Sequence, residues 1–485
     1  MAGIGVTLNK IYGKNTVTTN LLGFGYSAAV TVAPMFLVIG EIFLSGYCLG
    51  FSSVGFSVRE LFACTVLYIF IFALLTAAPF NAVLSKYMSD VIYEDRYEDI
   101  LPCFYVGMLL NLILSSLLGI PFCIWEYFVG QVELYYVCTG FCGYISLVLV
   151  FYSMLYLSIC KDYKKISFFF LLGMLTSFLL SLFLVWAAGW EITYAMLFSL
   201  VVGFLLIACL ELAATKQYFR ENSRCYRRVL YYFRKYWKLV LTNFLYTLGL
   251  YIHNFVFWNT DIRMVVADSF VCAQPYDMAS CIAMFTNISA TILFISRVEM
   301  NFHERYKAYS EAVIGGRGID IANTKGRMFR QLATELMNLV RIQFIVSVVI
   351  YLLCIVFLPR FGFSDLVMQI YPSLAAGYFI LFIMYSAIIF LYYFNDLTGS
   401  LLTAGSFCIT TFVVSISASA LTPIWYGLGV IAGAGMGWSV AYSRLRWVEK
   451  HMDVHVFCRG SILKRGKGRK PTGKVYTPER NKNKK

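Results

Sequence analysis

Apolar runs long enough to cross a lipid bilayer recur along almost the whole sequence. A membrane-spanning helix needs about 20 consecutive, mostly apolar residues. Twelve runs fit this length, near residues 20–47, 61–85, 102–125, 134–160, 166–189, 192–214, 239–258, 278–296, 337–358, 373–394, 397–420 and 424–442. Only 14% of the residues are charged, whereas in a soluble domain about a quarter are. The sequence therefore predicts an all-α polytopic membrane protein with twelve transmembrane helices.

A basic segment divides the runs into two sets of six. The stretch Lys216–Lys238 holds eight Lys and Arg residues between two apolar halves. A segment this basic does not cross a bilayer, and it favours the cytoplasmic face. The halves 20–215 and 239–442 are then predicted to be two six-helix bundles, repeated in parallel as in several transporter folds.

The distribution of basic residues predicts the orientation. If both termini are cytoplasmic, every Lys and Arg except Arg59, Arg263 and Arg360 falls in a cytoplasmic segment. A miscounted span would invert every later loop, so this asymmetry favours twelve spans across the cell membrane. The lead 1–19 and the basic tail 443–485 are expected in the cytoplasm. The net charge of +14 then indicates membrane lipids as partners, and not nucleic acid.

Polar or irregular residues inside the runs are the transport-path candidates. Pro34 and His253 lie at similar depth in the first run and the seventh, and Asn254 follows His253. Matching interruptions in two halves point to a transporter's central cavity. Glu41 lies in the outer part of the first run, where a carboxylate is costly unless it is protonated or faces water. The alternatives are a headgroup-level Glu41 and an interhelical hydrogen bond at His253 and Asn254 without a transport role.

The polar segment 297–336 follows the eighth run. In its first part, apolar residues recur at three- and four-residue spacing, which is the pattern of an amphipathic helix. Such a helix lies on the membrane or docks a partner, although a surface helix without a partner shows the same pattern. The partner-docking candidates are Glu299, Phe302, Tyr306 and Tyr309.

The sequence lacks the motifs of common enzymes and metal sites. It has no Walker lysine motif, no H-E-x-x-H, no G-x-S-x-G and no C-x-x-C pair. We therefore expect no catalytic residues, no cofactor and no metal. Transport would be driven by an ion gradient or by a coupled synthase.

Several segments resemble the PelG family of Pel exopolysaccharide transporters, a relative of the flippase and multidrug-exporter (MOP) superfamily. The opening MAGIG, followed by TLNK, is similar to the family's N-terminus. The stretches GLYIHNFVFW, QPYD, RVEMNFHERYKAYSEAV and LYYFNDLTGSL are similar to four further family elements, in order and at family-like spacing. His253 and Asn254 stand where the family has an acidic–Lys pair.

The resemblance implies a MOP/MATE-like fold, a central cavity between the two bundles and export of a hexosamine-rich polysaccharide. It also implies partners: a cytoplasmic glycosyltransferase and membrane regulators of a Pel complex. Three other functions stay open on the same residues. One is a flippase for lipid-linked oligosaccharide or a drug/ion antiporter, and another is an intramembrane sugar-modifying enzyme with His253 as a catalytic residue. The third is a non-transporting scaffold for a synthase.

Overall fold

A computed structural model of the chain describes residues 17–160, 162–293, 299–361 and 364–452. Within these ranges, the first half forms six long helices: α1 Val17–Leu49, α2 Phe56–Tyr93, α3 Ile100–Phe128, α4 Leu134–Ile159, α5 Tyr163–Trp186 and α6 Ile192–Tyr218. Most of the predicted lead 1–19 and tail 443–485 lies outside the described residues.

In the described residues, the second half adds a short linker helix, a hairpin and seven further helices. These are α7 Tyr226–Lys235, α8 Trp237–Phe257, β1 Met264–Val266, β2 Phe270–Cys272, α9 Gln274–Leu293, α10 Glu299–Gly315, α11 Gly318–Phe357, α12 Asp365–Tyr393, α13 Leu397–Ala418 and α14 Leu428–Met452. The two strands pair antiparallel, with Val265 opposite Val271. Strands of three residues are too short to leave a periodic signal, so the sequence did not predict the hairpin.

The long helices agree with the predicted multi-pass membrane fold. In the described residues, ten helices are long and apolar enough to cross a membrane. The part Ala33–Leu49 of α1 is a shorter apolar helix, and α9 has 20 residues. Continuous helices suit such a chain because each one satisfies its own backbone hydrogen bonds in lipid. The count is consistent with twelve spans.

The helices pack as two bundles of six. Helices α1 to α6 contact one another, and α8, α9 and α11 to α14 form the second group; α2 contacts α8 and α1 contacts α9 across the boundary. Close packing within the second bundle depends on Gly429 and Gly433 in α14. A Cβ atom at Gly433 would lie 1.9 Å from Thr411 Oγ1 of α13, which explains the small residue at that position.

The linker Lys216–Lys238 packs against the last turn of α2 and the loop that leads to α3. Arg228 of α7 pairs with the buried Asp99 at 2.8 Å, and Tyr232 donates a hydrogen bond to Asp90 at 2.9 Å. These contacts explain why the predicted cytoplasmic segment between the second and third runs is rich in acidic residues: Asp90 and Asp99 bind side chains of the basic linker. We call the end of the molecule that holds α7 the basic end, and the opposite end the hairpin end.

The three basic residues that the predicted orientation leaves outside the cytoplasm all lie at the hairpin end. Arg59 is in the first turn of α2, Arg263 directly precedes β1, and Arg360 follows α11. Because α2 begins and α11 ends at the hairpin end, the fold places these residues on the side opposite the linker.

Candidate functional site

Glu41 lies inside the first bundle, between α1 and α5. Its side chain is 7% exposed, and Oε1 accepts hydrogen bonds from Ser45 at 3.0 Å and from Ser177 at 2.9 Å. Pro34 is also buried in α1, two turns before Glu41 and on the same helix face. The carboxylate is thus held by two hydroxyl donors, and a role for it on the transport path stays a prediction.

His253 lies in the second bundle, where α8, α9 and α12 meet. Its side chain is 1% exposed, and Nδ1 is 2.8 Å from the Tyr276 hydroxyl. Nε2 is 3.5 Å from the Tyr378 hydroxyl, which lies 3.0 Å from Ser280 Oγ. The imidazole is thus part of a buried network of hydroxyl groups that joins α8, α9 and α12.

The next residue, Asn254, contacts a carboxylate that was not a sequence-predicted site residue. Its amide nitrogen donates to Asp277 Oδ1 at 2.7 Å. Trp258 Nε1 lies 3.0 Å from both carboxylate oxygens, and the Ala273 backbone N–H donates to Oδ2 at 3.0 Å. Among the described atoms, Asn254 Oδ1 is buried without a hydrogen-bond partner. Asp277 is therefore the anchor of this part of the site.

Consecutive residues on α8 pair with consecutive residues on α9. His253 contacts Tyr276, and Asn254 contacts Asp277. Tyr276 and Asp277 belong to the QPYD element that carried part of the family resemblance. The sequence could have suggested them from that element, but hydropathy could not, because both residues stand at the edge of an apolar run.

The site continues across the boundary between the bundles. The Trp258 ring stacks on Tyr68 of α2, with ring centroids 5.1 Å apart and planes 5° apart. The Tyr68 hydroxyl donates to Val271 O at 2.8 Å and accepts from Val271 N–H at 3.1 Å. Trp258 thus links the carboxylate of Asp277 to a contact that joins the two bundles.

Two further buried carboxylates lie within the first bundle. Glu211 accepts a hydrogen bond from Ser153 at 2.6 Å, while Oε1 has no partner in the described part of the chain. Glu126 is 4% exposed and lines a cavity of about 280 Å³ whose walls include Tyr68 and Phe122. Glu126 directly follows the third predicted run, 102–125, and lies in the last turn of α3.

Two of the partner-docking candidates point into the protein itself. Phe302 and Tyr309 of α10 are 1% and 0% exposed, and Tyr306 is half-buried. The Phe302 ring packs 5.1 Å from Phe390 of α12. The side chain of Glu299 lies outside the described residues. Because α11 and α12 cover the apolar face of α10, that face does not dock a partner in this structure, and docking by its polar face stays a prediction.

No metal site accompanies these groups in the described ranges. Within residues 17–160, 162–293, 299–361 and 364–452, no three His, Cys, Asp or Glu side chains are grouped to hold a metal ion. The polar groups described above contact one another through hydrogen bonds.

Solved structures with the same overall fold are MATE transporters. An inward-facing multidrug resistance MATE transporter of the MOP superfamily gives a TM-score of 0.58 at 12% identity, covering 87% of this chain and 96% of that chain. MATE in the bent conformation gives 0.55 at 12% identity, covering 88% and 96%. MATE in complex with MaL6 gives 0.52 at 15% identity, covering 87% and 97%. These similarities establish a MOP/MATE-like fold.

The family follows from a match over most of the sequence. Among curated proteins, none matches this chain. The model of the PelG family, described as "Putative exopolysaccharide Exporter (EPS-E)", matches residues 1–457. The transporter fold and this match agree with each other, and the chain belongs to the PelG family of exopolysaccharide exporters.

Proposed function

We propose that this protein exports a hexosamine-rich exopolysaccharide of the Pel type across the cytoplasmic membrane, along a path between its two bundles. The observation that carries the proposal is the family match over residues 1–457. The two-bundle transporter fold supports it. In this proposal the protein is a transporter and not an enzyme.

Aromatic side chains along the bundle boundary support a sugar substrate. Phe72 of α2 stacks on Phe255 of α8 at 6.1 Å, beside the Tyr68–Trp258 stack. These rings are half-buried, apart from the buried Trp258. The apolar face of a pyranose ring packs well on such surfaces, and hydroxyl groups of tyrosines offer hydrogen bonds to its rim. Separation of the bundles would expose these rings to the polymer.

The basic end would face the cytoplasm and meet the glycosyltransferase. The positive-inside rule favours this orientation. On α7, Arg227, Tyr231 and Arg234 are exposed, whereas Val229 is buried against the protein. A cationic surface with an exposed aromatic ring suits an acidic partner surface. The polar face of α10 is the second docking candidate at this end.

Asp277 and His253 are the proposed coupling groups. Three N–H donors converge on the Asp277 carboxylate, and one of them belongs to the indole that stacks on the other bundle. A change in the charge of this carboxylate would change the strength of these hydrogen bonds. The inter-bundle contact through Trp258 would then respond to proton or ion binding at Asp277.

The test is surface polymer in cells that lack this protein, measured with a hexosamine-binding lectin. We expect polymer to disappear from the surface, and to return with the wild type. Glu41→Gln and His253→Ala, at matched expression, would report whether each residue belongs to the transport path. Polymer that still reaches the surface without the protein would contradict the proposal.

The cavity at Glu126 favours a second candidate, an antiporter for organic cations. A buried carboxylate and aromatic walls are the features that bind an amine with an apolar body. Ethidium efflux from cells would separate the two functions. Efflux that depends on Glu126, in cells whose surface polymer does not depend on the protein, would support the antiporter.

A further inference from the structure

The two bundles contact each other at the hairpin end through one face of α2. Glu60, Cys64 and Tyr68 stand at four-residue spacing on this face. Glu60 accepts a hydrogen bond from Gln274 at 3.2 Å, and Tyr68 makes two hydrogen bonds with Val271. The contact of Cys64 lies between these two.

Cys64 faces a second cysteine across the boundary. Its Sγ atom is 3.2 Å from Sγ of Cys272, the last residue of β2. The two side chains are 2% and 3% exposed, and they pack with Val266 and Phe270. A disulfide bond has a length of about 2.05 Å, so a shift of about 1 Å between the sulfur atoms would allow the bond to form.

We propose that Cys64 and Cys272 are a modification site, at which a reversible disulfide fastens the two bundles together at the hairpin end. The bond would join a helix of the first bundle to the hairpin that leads into α9. The flanking contacts of Glu60 and Tyr68 already hold the same two segments together, so the bond adds a covalent link to an existing interface.

The reaction is a thiol–disulfide exchange with an oxidised dithiol carrier or a small disulfide. One cysteine thiolate attacks a carrier sulfur, forms a mixed disulfide and releases the first carrier thiolate. The other cysteine thiolate then attacks the protein sulfur of the mixed disulfide, forms the Cys64–Cys272 bond and releases the second carrier thiolate. The two cysteines lose two electrons, the carrier disulfide gains them, and the carrier thiolates take up the two thiol protons.

Burial of both thiols sets the condition for the reaction. A carrier reaches them only when the hairpin end opens, and the second step completes when the end closes again. The hairpin end faces the extracytoplasmic side in the proposed orientation, where disulfides form and persist. A disulfide that holds the bundles together should arrest export. This effect on export rests on the proposed function, whereas formation of the bond does not.

The bond is tested on the full-length protein in detergent micelles treated with oxidised glutathione. Mass spectrometry of a non-reduced protease digest should detect a peptide pair joining Cys64 to Cys272, which disappears after reduction. Cys64→Ala and Cys272→Ala should abolish the pair, and Cys408→Ala, a buried cysteine elsewhere, should keep it. Absence of the pair while the exposed Cys225 of the linker has reacted would overturn the proposal.

The effect on export is tested in cells treated with oxidised glutathione, which does not cross the cytoplasmic membrane. Surface polymer should fall several-fold in the wild type, recover with a reductant, and stay constant in Cys64→Ala. A detected bond with unchanged polymer export would overturn the fastening role. If surface polymer does not depend on this protein at all, the proposed function is contradicted. The disulfide proposal is then still tested, because the mass spectrometry on the purified protein does not involve the polymer.

Discussion

Trp258 contacts Asp277 with its indole nitrogen and Tyr68 with its ring face. The nitrogen lies 3.0 Å from both carboxylate oxygens, and the ring centroids of Trp258 and Tyr68 are 5.1 Å apart. Tyr68 belongs to the first bundle, and Asp277 belongs to the second. One side chain therefore connects a buried carboxylate to the boundary at which the bundles would have to separate.

Asp277→Asn should reduce export while the protein still reaches the membrane. The variant has the same shape but loses the charge that strengthens the hydrogen bonds from Asn254, Trp258 and Ala273, and a bond to a charged group contributes about 1.5–3 kcal/mol. This corresponds to an effect on the order of tenfold or more on a coupled equilibrium. Surface polymer measured by lectin binding checks it.

The matched control for this variant is Asp365→Asn. Asp365 also stands in the first turn of a helix at the hairpin end, but it is exposed. Its export should equal that of the wild type. Equal export by the wild type and Asp277→Asn would remove Asp277 from the mechanism.

Tyr276→Phe and Tyr378→Phe should each destabilise the protein. Tyr276→Phe removes the 2.8 Å contact with His253, whereas Tyr378→Phe removes the 3.0 Å contact with Ser280 and the longer 3.5 Å contact with His253. Loss of a buried hydrogen-bond partner costs about 1–3 kcal/mol. The apparent melting temperatures of the two purified variants in detergent micelles measure the effect, and a variant as stable as the wild type would show that its hydroxyl group contributes nothing to stability.

Asp396→Ala should lower stability strongly at the basic end. Asp396 is 1% exposed, caps α13 through the Gly399 N–H at 3.0 Å, and pairs with Arg444 of α14 at 2.8 Å. Because the Arg444 side chain is 25% exposed, losing the ion pair should cost less than the roughly 3–5 kcal/mol of a fully buried pair, and losing the cap costs about 1 kcal/mol. Thermal unfolding of the purified protein measures the change.

A surface ion pair in the same region provides the control for Asp396→Ala. Glu449 pairs with Arg446 at 2.9 Å, and the Arg446 side chain is 60% exposed. Glu449→Ala should change the melting temperature little, because exposed pairs contribute about 0–1 kcal/mol. If the two variants were equally stable, the buried pair would contribute no more than an exposed one.

Gly433→Ala should destabilise the α13–α14 contact. Its Cβ atom would lie 1.9 Å from Thr411 Oγ1 and 3.0 Å from the Phe407 carbonyl oxygen, so the helices must move apart. Such overpacking typically costs about 1–3 kcal/mol. Gly435→Ala in the same helix has open space around it and should be neutral or stabilising. Folded yield and melting temperature of the two variants test the pair.

The membrane fold was largely predictable because its main signal is local. Each apolar run is long enough to form a helix that satisfies its own backbone, and no partner is needed to recognise it. The site was predictable only in part. His253 and Asn254 were visible as polar residues inside a run, whereas Asp277 at a helix start and Glu126 at a helix end looked like residues outside the membrane. Phe302 and Tyr309 showed a correct apolar periodicity, but periodicity does not say which surface covers an apolar face.

The sequence by itself determined the class of protein, the division into two halves at Lys216–Lys238 and the family. These depend on hydropathy, charge and ordered motifs, which are properties of the chain in one dimension. Only the tertiary structure decided that Asn254 and Trp258 share the carboxylate of Asp277, that Cys64 meets Cys272, and that α11 and α12 cover α10. Each of these contacts joins different elements of the chain, and only the packing of the helices and the hairpin against one another brings them together.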